Sequence, residues 1–132
     1  MTVSTAPDLT AEFLVTCLCA QWCGSCREYR PSFEALAGSR PGVAYAWVDV
    51  EDEAEVAGDV DVDNFPTLVI QRGEHVLFCG PMIPDVRALD RLLVSFMEQD
   101  AAASAAYAVG TPERRGWQGV ADVRSRLREA NS

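Results

Sequence analysis

Residues 13–26 read Phe-Leu-Val-Thr-Cys-Leu-Cys-Ala-Gln-Trp-Cys-Gly-Ser-Cys, and this stretch decides the fold. The apolar run Phe13–Ala20 is short, rich in strand-forming residues and followed by a turn-like Trp-Cys-Gly, which predicts a strand buried on both faces. An amphipathic helix is predicted from about Cys26 to Ala37, with a kink at the proline inside it. Two cysteines separated by two residues, Cys23 and Cys26, therefore stand at a strand-to-helix junction.

The rest of the chain to residue 100 continues the alternation of strands and helices. A second strand is predicted at Val43–Val50, a short helix near 52–58, a hairpin of strands Thr67–Gln71 and His75–Cys79, and a helix from Pro84 to about 98. This order is one βαβ crossover followed by a hairpin and a covering helix. It predicts an α/β domain whose mixed central sheet has about four strands flanked by helices.

Residues 101–132 differ from the preceding hundred in composition and charge. Residues 1–100 have a net charge of −11, whereas residues 101–132 have a net charge of +2, from counts of arginine and acidic residues. An alanine-rich stretch is followed by an amphipathic one that places Val120, Val123 and Leu127 on one face. We therefore expect a domain at 1–100 and a helical C-terminal extension at 101–132, whose apolar stripe docks on the domain.

Composition excludes several classes of function. With a pI near 4.4 and a net charge of −9, the chain is not expected to bind nucleic acid through phosphate neutralisation. All eleven basic residues are arginines, which excludes lysine nucleophiles and Schiff bases. The odd number of cysteines, five, argues against a fully paired secreted scaffold. Because the N-terminus lacks a basic start and a long apolar run, we expect no signal or membrane segment and a cytoplasmic location.

The two cysteines of the Trp-Cys-Gly-Ser-Cys segment are the candidate reactive groups. Their spacing at a helix start brings the Cα atoms within the ~4.4–6.8 Å that a disulfide needs. Cys23 would lie at the helix N-terminus, where unpaired N–H groups and the helix dipole favour the nucleophilic thiolate. Arg27 and Arg30 would add positive charge, and Trp22 would offer an apolar surface to a docking substrate.

Two structural interpretations of the cysteines stay open at this point. Cys23 and Cys26 could be a buried pair, or half of a zinc site completed by other cysteines, although a strand is a poor source of metal ligands. Cys17, Cys19 and Cys79 are expected to pack as small hydrophobic residues. Cys79 is the most plausible exception among these three, because the glycine after it is expected to border a groove.

The Trp22–Cys26 segment resembles the active site of the thioredoxin family, and other segments match the same family. Pro31 corresponds to the proline that kinks the family's active-site helix. The sequence Phe65-Pro66-Thr67 corresponds to its cis-proline loop, and Cys79-Gly80 falls where the family has a glycine beside the substrate groove. The resemblance covers residues 13–98.

The resemblance implies thiol–disulfide exchange. Cys23 would attack a substrate disulfide and Cys26 would resolve the mixed disulfide, so that the redox-active Cys23–Cys26 disulfide replaces any bound cofactor, and no metal is expected. Pro66 would be cis and would let an extended peptide pair with the neighbouring backbone. The implied partners are protein disulfides and a separate reductase or thiol donor. The implied substrate-binding residues are Trp22, Gly24, Ser25, Phe65, Pro66, Thr67 and Gly80.

The chain also departs from the family pattern. Cys17 stands where the family usually has a buried acid, Cys19 where it has a tryptophan, and Trp47 where it has a lysine, so the acid–lysine pair thought to help deprotonate Cys26 is missing. The N-terminus is too short for the family's first strand and helix, although Thr2–Thr5 could form a token edge strand. We expect the C-terminal segment or a partner subunit to cover the exposed edge at Val43–Val50, which makes a homo-oligomer possible.

These observations predict a thiol–disulfide oxidoreductase that reduces protein disulfides. The alternative is a binding or chaperone module with the same fold, which the missing acid–lysine pair and the added C-terminus favour. A thiol enzyme such as a peroxide or arsenate reductase is disfavoured, because the anion-binding arginine spacing of such enzymes is missing.

Overall fold

A computed structural model describes residues 7–60, 62 and 65–130. Four strands and six helices follow one another along these residues: β1 Phe13–Cys19, α1 Gly24–Ala35, β2 Val43–Asp49, α2 Ala54–Ala57, β3 Thr67–Arg72, β4 His75–Pro81, α3 Val86–Met97, α4 Ala101–Ala108, α5 Pro112–Val120 and α6 Val123–Ala130.

The four strands form one mixed sheet in the order β2-β1-β3-β4. β1 runs parallel to β2 and antiparallel to β3, and β4 is antiparallel to β3. This confirms the predicted α/β fold with a four-stranded mixed sheet and flanking helices. α3 begins two residues later than expected, because the carboxylate of Asp85 accepts a hydrogen bond from the Arg87 N–H and caps the helix there.

Side chains of β1 alternate between two apolar clusters, one on each face of the sheet. Cys17 and Cys19 point toward the first cluster, which Tyr29 and Phe33 of α1 join, and which α3 and Ala108 of α4 complete. All seven residues of β1 are buried. The central strand therefore presents both of its cysteines to the helix that follows it.

The second cluster is closed largely by the C-terminal helices. Val123 and Leu127 of α6 pack with Leu14 of β1 and Ala44 of β2, and Trp117 of α5 packs beside them. The predicted amphipathic stretch is thus two helices, because the chain leaves helical geometry at residues 121–122 between α5 and α6. Val120 differs from the prediction that places it on the docking face, because it ends α5 and is 38% exposed.

The C-terminal helices pack on a face of the sheet, and β2 stays an edge strand of the sheet in the described part of the chain. Among the described residues, β2 pairs with β1 only. The edge strand expected at Thr2–Thr5 lies outside the described residues, and the division of the chain at residue 100 stays a prediction. None of the helices in the described ranges combines the length and the apolar character needed to cross a bilayer.

Candidate active site

Cys23 occupies the N-terminus of α1, as the sequence predicts. It is the N-cap residue, with extended backbone (φ −82°, ψ 124°), and its side chain makes no capping hydrogen bond. Its N–H donates to the Ala20 carbonyl at 3.0 Å, and its own carbonyl accepts from the Arg27 N–H at 3.1 Å. Gly24 and Ser25 follow on the exposed first turn, while the Cys23 side chain is only partly exposed. The thiol therefore lies where the first N–H groups of the helix point outward.

The structure pairs Cys26 with Cys19 rather than with Cys23. The Cys19–Cys26 disulfide joins the last residue of β1 to the first turn of α1, with the Cα atoms 5.8 Å apart. The expected Cys23–Cys26 disulfide is therefore wrong for this form of the protein, and so is the expectation that Cys19 is only an apolar packing residue. The Cys26 side chain pairs with Cys19 because it points toward the sheet, where it is 1% exposed, and Cys19 lies on the strand face below it.

Cys17, Cys23 and Cys79 carry free thiols. Cys17 is fully buried with its Sγ 3.8 Å from that of Cys19, and desolvation raises the pKa of its thiol despite the opposing charge of Arg30. Burial also raises the pKa of Cys79, to about 11. Within the described part of the chain, no three His, Cys, Asp or Glu side chains are grouped so that they could hold a metal ion.

The cis-proline loop lies beside the cysteine segment. The Phe65–Pro66 peptide bond is cis, and the Pro66 carbonyl accepts a hydrogen bond from the Met82 N–H at 3.1 Å. The ring of Phe65 contacts that of Trp22 edge to face, with centroids 5.7 Å apart. This contact joins two segments that are more than forty residues apart in sequence, and Trp22 remains 63% exposed beside it.

Two other residues of the predicted groove lie on the neighbouring strands. Thr67 is the first residue of β3 and is buried, and Gly80 of β4 is paired in register with Leu68. The structure therefore places both at the end of the sheet where β3 leaves the cis-proline loop. Their contribution to substrate binding stays a prediction.

Two acidic residues that were not among the predicted site residues, Asp49 and Glu51, accept hydrogen bonds from the loop that precedes Cys23. The Asp49 carboxylate at the end of β2 accepts N–H groups from Gln21 at 2.9 Å, Glu51 at 2.9 Å and Asp52 at 3.0 Å. Hydrogen bonding, from the Asp52 N–H above all, lowers the pKa of Asp49 below its ordinary value. The Glu51 carboxylate accepts the indole N–H of Trp22 at 3.0 Å. The sequence signal for these roles is that Asp49 and Glu51 begin an acidic run, in which eight Asp and Glu residues and no basic residue lie between positions 49 and 63.

The two arginines of α1, whose positive charge was the only role predicted for them, also make specific contacts. Arg27 donates to the Gln21 carbonyl at 3.1 Å and so braces the loop before the helix. Arg30 pairs with Glu34 at 2.9 Å and lies over the ring of Trp47, 5.1 Å from its centroid. Trp47 itself packs among aromatic side chains of the first cluster.

Comparison with known proteins agrees with the fold. Residues 7–81 match the family model described as Thioredoxin. Putative thioredoxin 2 of Streptomyces coelicolor is 31% identical over 80 residues, 60% of this chain and 60% of that protein. Thioredoxin H2-1 of Oryza sativa is 41% identical over 64 residues, 48% of this chain and 46% of that protein.

The fold is also that of a solved thioredoxin. The crystallographic structure of Fasciola hepatica thioredoxin superposes with a TM-score of 0.59 at 30% identity, covering 66% of this chain and 83% of that one. The chain thus spans about half to three fifths of the length of the two curated relatives. Because the family model covers more than half of the residues, from before β1 to the end of β4, the chain belongs to the thioredoxin family.

Proposed function

We propose that this protein is a thiol–disulfide oxidoreductase that reduces disulfides in protein substrates. The Cys23 thiolate attacks one sulfur of the substrate disulfide, which forms a mixed disulfide and releases the other substrate sulfur as a thiolate. Cys26 then attacks Cys23 and releases the second substrate thiol. The protein loses two electrons and the substrate gains them, and a separate reductase or thiol donor in the cytoplasm restores the dithiol.

One observation carries this proposal: the partly exposed Cys23 thiol at the start of α1 lies next to the aromatic contact between Trp22 and Phe65. A helix N-terminus favours an anionic sulfur and makes it a better nucleophile at neutral pH. The exposed Trp22 ring offers an apolar surface to a substrate. The adjoining cis-Pro66 lacks an N–H, so an extended peptide lying against the loop meets no donor at that residue.

Reduction of insulin by dithiothreitol tests the proposal, because insulin is a model protein disulfide. We expect the full chain to accelerate the reaction well above the rate with dithiothreitol alone, and the Cys23→Ser variant to lose this acceleration. Cys79→Ser is the matched control, because Cys79 is also free and partly exposed but lies outside the motif. Equal rates for the wild type and Cys23→Ser would refute the proposal.

A second candidate function is a binding module in which thiol exchange plays no part. It is favoured by the Cys19–Cys26 disulfide, which occupies the expected resolving thiol, and by the absence of an acidic residue at position 17. In that case unfolded or partner polypeptides would bind equally well to the wild type and to Cys23→Ser, and neither protein would reduce insulin. The assay above therefore separates the two functions.

We also propose that residues 101–132 act as a structural extension of the thioredoxin-like domain at 1–100. α5 and α6 supply apolar side chains to the second cluster, so a chain ending near residue 100 would expose that face. Such a truncated chain should self-associate or unfold more readily than the full chain. A truncation as soluble and as stable as the full chain would contradict this role.

A further inference from the structure

Three cysteines meet at the junction of β1 and α1, beside the partly exposed Cys23. Cys19 and Cys26 are joined by a disulfide and are 0% and 1% exposed. Cys17 lies two residues earlier on the same strand face, with its Sγ 3.8 Å from that of Cys19. Cys23 packs against the same apolar cluster but retains contact with solvent. Cys26 is thus bonded to a buried partner, while Cys23, the partly exposed member of the Cys-Gly-Ser-Cys motif, is free.

We propose that Cys19 is a third redox-active cysteine, and that the oxidised protein rests with a Cys19–Cys26 disulfide and a free Cys23 thiol. This inference deepens the proposed function and rests on it. Reduction of a substrate leaves a Cys23–Cys26 disulfide, and Cys19 then displaces Cys23 from Cys26. Cys26 is the shared sulfur in both disulfides. It pairs with Cys23 during turnover and with Cys19 at rest.

The transfer is an internal thiol–disulfide exchange and needs no added oxidant. The Cys19 thiol loses its proton and the resulting thiolate attacks the Cys26 Sγ in the Cys23–Cys26 disulfide. The Cys19–Cys26 bond forms, the Cys23–Cys26 bond breaks, and Cys23 leaves as a thiolate that takes up a proton. One disulfide and one thiol are present before and after the step, so the protein's oxidation state is unchanged.

Burial favours the resting disulfide and also slows its formation. A disulfide carries no charge and has no strong hydrogen-bonding demand, so it suits a cluster from which water is excluded. A thiolate is disfavoured there, as it is at the neighbouring buried Cys17, where desolvation raises the pKa of the thiol. Because neither sulfur of the resting disulfide reaches the surface, reduction by a solution thiol begins at Cys23, which attacks Cys26 in the reverse step.

Peptide mapping of the oxidised full-length chain distinguishes the two pairings directly. The protein is oxidised with oxidised glutathione, free thiols are blocked with N-ethylmaleimide, and the chain is digested with chymotrypsin and trypsin. Cleavage after Leu18, Trp22 and Arg27 separates peptide 19–22 from peptide 23–27. We expect these peptides to be linked by a disulfide, with N-ethylmaleimide on Cys23. An internal disulfide in peptide 23–27, with the label on Cys19, would overturn the inference.

Two alanine variants on the same strand face give matched controls. In Cys19→Ala we expect peptide 23–27 to carry the internal Cys23–Cys26 disulfide, so that Cys23 loses its label. Cys17→Ala removes the adjacent buried thiol and should map like the wild type. If Cys23 stays free and no disulfide forms in Cys19→Ala, then Cys26 does not reach Cys23 and the internal exchange is refuted.

Reduction under native conditions tests the direction in which the buried disulfide opens. In Cys23→Ser we expect the Cys19–Cys26 disulfide to be reduced by dithiothreitol at least tenfold more slowly than in the wild type, because the relay thiol is missing. Equal rates would overturn that part of the inference. The mapping uses no protein substrate, so linked peptides 19–22 and 23–27 in a protein that fails to reduce insulin would refute only the proposed function.

Discussion

Replacing Arg124 with methionine should destabilise the protein by about 3 kcal/mol, because its guanidinium hydrogen-bonds the last helix to the segment before β1. Arg124 on α6 is 2% exposed. Its Nη1 donates to the carbonyls of Leu9 at 2.6 Å and Ala11 at 2.8 Å, and its Nη2 donates to that of Glu12 at 3.3 Å. Methionine keeps the length and apolar stem of the side chain but leaves these carbonyls without their donor.

The magnitude follows from the geometry of these bonds. Each of the two short bonds has a charged donor, and such bonds contribute about 1.5–3 kcal/mol. The longer bond to Glu12 adds little. Removing the buried charge recovers part of its desolvation cost, which also lowers the pKa of Arg124. We therefore expect a net loss of about 3 kcal/mol, near the lower limit for the two short bonds, which corresponds to a fall in Tm of about 10 °C for a domain of this size.

Urea denaturation followed by tryptophan fluorescence, with dithiothreitol present throughout, measures this loss. Arg128→Met is the matched control, because it removes the same charge from an exposed position on the same helix. The control should shift the unfolding free energy by less than about 0.5 kcal/mol. If Arg124→Met is destabilised by less than about 1 kcal/mol relative to Arg128→Met, the hydrogen bonds do not contribute as reasoned.

Three further substitutions test other contacts. The side chain of Gln118 accepts from the Val76 N–H and donates to the Val76 carbonyl, both at 2.8 Å, so Gln118→Ala should cost about 1–3 kcal/mol in urea denaturation, and no loss would contradict the pairing of α5 with β4. Because the pKa of Asp49 is lowered in the folded state, its contribution is present above about pH 4 and lost as the pH falls through the folded value. Asp49→Asn should therefore lower stability at pH 7 and flatten its loss below pH 4, and an unchanged acid-unfolding profile would contradict this. Phe65→Leu keeps an apolar side chain but removes the edge-to-face contact with Trp22, worth about 0.5–1.5 kcal/mol, and should raise the KM for insulin several-fold, whereas Phe65→Tyr keeps the ring and should not. A KM for Phe65→Leu equal to that of the wild type would exclude a role for the aromatic pair.

Local pattern was sufficient for most of the sheet and for the position of the reactive thiol. The buried run before the motif became β1, and the turn at Gly73, with φ +59°, joined the two strands of the hairpin as expected. Cys23 stood at the start of a helix because the apolar strand ends just before it and an amphipathic run follows. These features depend on neighbours in sequence, so the sequence alone carries them.

The hydrogen-bond partners of polar residues in the interior could not be predicted from the sequence pattern. Gln71 on β3 is 0% exposed, yet its amide is satisfied because it donates to Asp122 at 2.9 Å and accepts from the Arg124 N–H at 3.0 Å. Both partners come from the C-terminal segment, about fifty residues later. Burying a glutamine side chain in a central strand destabilises the fold unless its amide group is hydrogen-bonded. The sequence pattern does not show which residues make these hydrogen bonds, because they are distant in sequence and only the tertiary structure brings them close.

The cysteines show the same division. The sequence by itself determined that Cys23 and Cys26 flank a helix start, and that Cys17 and Cys19 lie on one face of a buried strand, because strand alternation and helix position are local properties. Only the tertiary structure decided that Cys26 bonds to Cys19, because a disulfide depends on which sulfur lies within reach across the packed interface between β1 and α1. The spacing of the cysteines along the chain predicts Cys23 as the disulfide partner of Cys26. The Cys26 side chain points toward the sheet, however, and its partner in the structure is Cys19.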